Sequence, residues 1–149
     1  MNARLSIGGD TVRIRLSNAH GQQKLLVGKA TIGVREAGPG SVPGSVRKLS
    51  FGGAESTTIA AGALLVSDPV GLSLPALADV AISVYLPGDL PASFPITGRY
   101  SRQTNYISPP GNFAAETVMP VGKITDDWYF VSGVDVLAAA ARSWRSAIR

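Results

Sequence analysis

The sequence predicts an all-β protein: a single antiparallel β-sandwich, jelly-roll-like, closed by a short C-terminal tail of helical period. Three observations predict it. The chain of 149 residues is 45% hydrophobic and 16% charged, which suits one globular domain with a real core. Its 17 Gly and 10 Pro are spread between short apolar runs, as many tight turns require. Those runs alternate, or recur at short regular intervals, as strands of a sandwich or jelly roll do.

"TVRIRLS" sets Val12, Ile14 and Leu16 against Arg13, Arg15 and Ser17, the period of two of a strand with one buried face. "NAHGQQ" is a turn in which Asn18 and Gly21 would tolerate positive φ. "KLLVGKATIGVRE" reads as one long strand, or as two with a bulge at Gly28 or Gly33. "AGPGSVPGSV" is too rich in proline and glycine for a ladder, so it is a loop.

"RKLSF", "TTIA", "LLVS" and "VGLSL" are short strands in succession. "DVAISVYLP" is a central strand with Val80, Ile82, Val84 and Leu86 on one face and Tyr85 on the other. "ITGRYSRQTNYI" is a weaker strand pair, "SPPGNFAAETVMPVGKITDD" a long loop, and "WYFVSGVDV" the last strand. Beyond it Leu137, Ala141, Trp144 and Ile148 share one face at helical spacing. Residues 1–137 therefore form the sandwich and 138–149 the tail.

The search for chemistry mostly excludes. Without cysteine there is neither a disulfide framework nor a thiolate metal site. His20, the sole histidine, lies in a turn, so a catalytic or metal-binding imidazole is not expected. "GGDTV" imitates an esterase G-D-S block with Thr11 for serine, but a strand follows it where a helix is needed, so Gly8, Gly9 and Asp10 read as a turn. Asp126 and Asp127 would face opposite ways on a strand and read as a solvated loop end. No glycine-rich phosphate loop is present, and no cofactor is expected. The formal charge of +4 falls to +1 without the tail's three arginines, so nucleic acid is not an expected partner. No apolar run is long enough to span a bilayer and no signal peptide is visible, so the chain as written reads as cytoplasmic.

The residues able to form a binding surface are Arg13 and Arg15 on one strand face, Tyr100, Arg102 and Tyr106 in a polar aromatic stretch, and Trp128 with Tyr129. Such side chains stack on sugars or pair with anions. The plainer reading, a solvated arginine face and half-buried tyrosines, is preferred.

The blocks "VRIRLSNAHG", "LLVGKATIGVRE", "SVRKLSFGG", "TIAAGALLVSDPV", "LPALADVAISVYLP", "TNYISPPGNF" and "WYFVSGVDV", in this order, resemble the N-terminal β-rich region of bacterial SGNH hydrolases, the GDSL-like lipases or acylhydrolases. The likeness runs from about Ser6 to Leu137. It implies a β-sandwich that precedes an α/β esterase domain in enzymes that are usually exported. The family's G-D-S nucleophile block and its catalytic Asp and His lie outside the matched region, so no catalytic residue carries over and the chain is not expected to be an enzyme. The expected role is that of an accessory domain packing beside the catalytic domain or contacting its substrate. An independent carbohydrate-binding module is the alternative, and self-association through the surface that would face the esterase is expected.

In that family a strand of the form "GAVVALGDS" follows the "SGVDVL" segment. The codons of the stretch starting at Ala140 can spell "GAVVAIGDS" two bases out of frame: Trp144 and Arg145, for example, share a junction that reads GCG, alanine, when Arg145 is a CGN codon. The tail is therefore expected to be the esterase's nucleophile strand translated out of frame, and to be poorly ordered or casually docked. The encoding DNA tests this.

Overall fold

A computed structural model describes residues 1–87, 96–98, 104–138 and 142–148, with the backbone alone over 96–98. Among these there is no helix and all regular structure is strand. In chain order the strands are β1 (Asn2–Arg4), β2 (Gly9–Ser17), β3 (Leu25–Val27), β4 (Lys29–Val34) and β5 (Arg47–Lys48). Then come β6 (Thr57–Ile59), β7 (Leu64–Val66), β8 (Val70–Leu74), β9 (Asp79–Tyr85) and β10 (Ile96–Gly98). The last five are β11 (Asn105–Ile107), β12 (Lys123–Thr125), β13 (Trp128–Tyr129), β14 (Val131–Ala138) and β15 (Ser143–Ser146).

Two antiparallel sheets dominate, one in the order β1-β9-β4-β5 and one in the order β15-β14-β2-β7, with β8 also on β2. Three two-stranded ribbons, β3–β6, β10–β13 and β11–β12, complete the fold. The alternation read in β2 is realised: Val12, Ile14 and Leu16 are fully buried while Arg13 and Arg15 face outward. They meet Val134 and Val136 of β14, Leu72 and Leu74 of β8, and Ala30, Ile32, Val80 and Ile82 of the other sheet in one core. Burying each of the larger side chains contributes roughly 1.5–3 kcal/mol, so this cluster is what holds the sheets together. The all-β class and a sandwich of antiparallel sheets therefore agree with the sequence. Among the described residues no helix is long and apolar enough to cross a membrane.

Several local readings are corrected. Gly9 and Asp10 belong to β2 rather than to a turn. A Cβ on Gly8 would lie 2.5 Å from the Leu74 carbonyl oxygen, and one on Gly9 at the same distance from that of Leu137. Close approach of neighbouring backbones, not a turn, requires these glycines. Neither Asn18 nor Gly21 has positive φ. Asn18 is instead a buried hub whose Nδ2 donates to the carbonyls of Gln23, Ile59 and Ala60. Gly21 is small because a Cβ there would overlap the Asn18 amide.

"KLLVGKATIGVRE" breaks at Gly28, where a Cβ would crowd the Tyr85 ring at 2.9 Å. "WYFVSGVDV" breaks at Phe130, whose φ is +65°. β1 and β12 are strands the sequence reading did not anticipate. The "SFGG" and "SDPV" blocks join through Asp68, whose carboxylate accepts from the Gly52 and Gly53 amides at 3.0 and 2.7 Å and from the Ser50 hydroxyl at 3.0 Å. Gly52 and Gly53 both have positive φ, as the tight turn between Phe51 and Ala54 demands.

The largest correction is the tail. Its described residues form no helix: Ser143–Ser146 is the edge strand β15, antiparallel to β14, with Trp144 opposite Leu137 and Ser146 opposite Asp135. A helix of about a dozen residues is marginal in water, whereas β14 offers a complete ladder edge. Among the tail's described residues Ala147 is fully buried, donates to the Val134 carbonyl at 2.9 Å and accepts from the Ser6 amide at 2.7 Å.

Candidate functional site

The candidates divide between two places. Arg13 and Arg15 lie on the outer face of the β15-β14-β2-β7 sheet, and there they are engaged internally. Arg13 Nε is 3.2 Å from Asp135 Oδ2, and Arg15 Nε is 3.3 Å from Oδ1 of the same carboxylate. The Arg13 guanidinium also stacks 4.2 Å from the centroid of the Trp144 ring, and Arg15 donates to the Ser146 hydroxyl at 3.2 Å. Arg15 reaches this position by lying over Gly133, where a Cβ would come within 2.3 Å of it. These cations clamp the tail onto the sheet. An anion binding them would have to displace Asp135, whose side chain is only 10% exposed.

Tyr106 and Tyr129 meet elsewhere, in a cleft of about 250 Å³ beside the end of β9. Tyr85 joins them, so three of the chain's four tyrosines line one cleft. The fourth, Tyr100, and Arg102 lie outside the described residues. Trp128 is not part of the lining: successive residues of β13 face opposite ways, which sends Trp128 into the core, 8% exposed, and Tyr129 toward the cleft.

The rest of the wall comes from Met1, from Ile82 to Leu86, from Ile107 to Gly111, and from Met119 and Phe130. Of these, Tyr85 stands out in the sequence only as the off-face residue of its strand. The consecutive prolines 109 and 110, with fixed φ, are the one legible sign in that loop of a rigid wall.

Two asparagines brace the cleft from behind. Asn105 is fully buried; its Oδ1 accepts from the Asn2 amide at 2.7 Å and its Nδ2 donates to the Asp127 carbonyl at 3.2 Å. Asn2 Nδ2 returns a bond to the Thr104 carbonyl at 2.7 Å. This couples β1, and with it β9, to the β11–β12 ribbon that carries Tyr106. Met1 extends the pairing, donating its amine to the Ile82 carbonyl at 2.6 Å and accepting from the Ile82 amide.

Among the described residues no charged side chain lines the cleft. Burial, and then the charge of Arg35, lowers the Met1 amine to a pKa of about 5, so it too is neutral at pH 7. A lining of tyrosines and aliphatic residues, with Ser83 and Ser108 among them, suits an uncharged ligand with one apolar face, such as a sugar ring.

The other polar residues singled out in the sequence stand apart from the cleft. His20 is exposed in the turn after β2, and the Thr11 hydroxyl donates to Asp10 at 3.0 Å. No cluster of three His, Cys, Asp or Glu there could hold a metal ion. Compared with known proteins, the chain matches no family model and no curated protein.

Proposed function

We propose that this chain is the non-catalytic accessory β-sandwich of an SGNH, GDSL-type esterase, and that its tyrosine cleft contacts the carbohydrate part of the parent enzyme's substrate. The observation that carries the reading is the convergence of Tyr85, Tyr106 and Tyr129 on one uncharged cleft. They come from "AISVYLP", "TNYISPPG" and "WYF", three of the stretches that carry the resemblance.

A second reading, an independent carbohydrate-binding module, is favoured by the cleft walls lying within this chain, so that binding would not need a second domain. Titration with neutral oligosaccharides tests the shared claim. Tyr106→Ala should weaken binding by about tenfold, the worth of one stacked ring, while exposed Arg145→Ala should not. No binding by the unaltered protein would refute the cleft's role. Turnover of a simple aryl acetate would refute the non-catalytic assignment. Affinity that appears only when an esterase domain is supplied would favour the accessory reading over the independent one.

A further inference from the structure

β7 stands at an edge of its sheet and, among the described strands, pairs with β2 alone. The Asn18 amide donates to the Ala63 carbonyl and the Ser67 amide to the Ile14 carbonyl, each at 2.9 Å, which fixes the parity of the strand. The backbone groups of residues 63, 65 and 67 point to β2, so those of Leu64 and Val66 point away from it. Their side chains are also unusually open for apolar residues, 68% and 42% exposed.

The stretch "AGALLVS" has no charge and no proline, the devices by which edges are normally protected. The open window is bounded at both ends. The Asp68 amide is taken by the Ser50 carbonyl at 2.8 Å, and the chain turns away at Gly62, with φ +79°.

We propose that a second copy of this chain pairs with this edge, β7 against β7 antiparallel, about a two-fold axis at Leu65. In that register Leu64 faces Val66 of the other copy and Val66 faces its Leu64. Each facing pair exchanges two N–H···O=C bonds, so every outward donor and acceptor in the window is satisfied by its own symmetry mate. An isologous contact of this kind closes at two copies. The absence of charge on the strand lets two identical edges approach without repulsion, and the two sheets become one continuous sheet. Because the window is only three residues long, the contact belongs to the small, transient class of interface. The inference is independent of the cleft and of the esterase reading.

Sedimentation velocity over a rising concentration series should show a monomer–dimer equilibrium. L64K/V66K places like charges opposite each other twice and should leave a monomer, whereas L64K/V66E places Lys against Glu in this register and should restore the dimer. Near-UV circular dichroism checks that both variants remain folded. Should they not, the Leu64 and Val66 amides of the unaltered protein give the answer, since their exchange should slow as concentration rises. A strictly monomeric wild type, an L64K/V66K protein that still associates, no rescue by L64K/V66E in a folded protein, or concentration-independent exchange would each overturn the proposal.

Discussion

Asn105 is fully buried and answers two backbone groups at once, the Asn2 amide and the Asp127 carbonyl. Truncation to alanine strands both, and a buried group left unsatisfied costs about 1–3 kcal/mol. Asn105→Ala should lower stability by that amount in denaturant melts. It should also loosen the wall carrying Tyr106, seen as faster exchange of the β11 amides. Gly9→Ala drives a methyl into the Leu137 carbonyl, where the obstacle is backbone. Such overpacking typically costs about 1–3 kcal/mol, and a melting point equal to wild type would show that the strand shifts freely.

Asp68 gives a pH dependence. Its carboxyl is held below the usual carboxylate range by the Gly53 and Gly52 amides and the Ser50 hydroxyl. A carboxylate whose folded pKa is depressed adds stability above its unfolded pKa and loses it as pH falls through the folded value. Wild type should therefore lose stability in acid more steeply than Asp68→Asn, and parallel acid melts of the two would contradict this. At this scale the sequence was partly legible. Asn18 and Gly21 were rightly placed at a turn, but their reason for being there is contact with residues up to Ala60, which no local pattern displays.

At the scale of elements, periodicity located β2 and β9 because the core buries alternate residues of each. It failed where an element is specified by its neighbour. β1 is three residues held by β9, β12 is three residues held by β11, and β15 is held by β14 and the arginine clamp. The helical spacing of Leu137, Ala141, Trp144 and Ile148 is real as a pattern, but an open strand edge outweighs a marginal short helix.

The Arg13–Trp144 stack is thus part of what binds the tail. A double-mutant cycle with Arg13→Ala and Trp144→Ala should give a coupling of about 0.5–1 kcal/mol, as for cation–π pairs near a surface. Additive effects would show that the tail is held by its ladder alone.

At the scale of the whole molecule, the all-β class follows from composition and turn density, while the order of strands in each sheet does not. The cleft lay beyond sequence reading for the same reason. Tyr85, Tyr106 and Tyr129 are scattered along the chain and become neighbours only when β9, β11 and β13 have found their partners. Trp128 and Tyr129 are equal candidates in the sequence because a dipeptide gives no hint of which residue faces inward until its strand is placed.

The two tryptophans are set so differently that the protein carries its own optical readout. Trp128 is sealed in the core, while Trp144 is half-buried under a guanidinium on the tail strand. Emission from a Trp128→Phe protein would report on Trp144 alone, shifting to the red when the tail lifts from β14. Emission from Trp144→Phe would stay blue until the sandwich itself opens. Comparing the two during gradual denaturation would reveal whether β15 peels away before the core melts or leaves only with it, with no dye attached to either end.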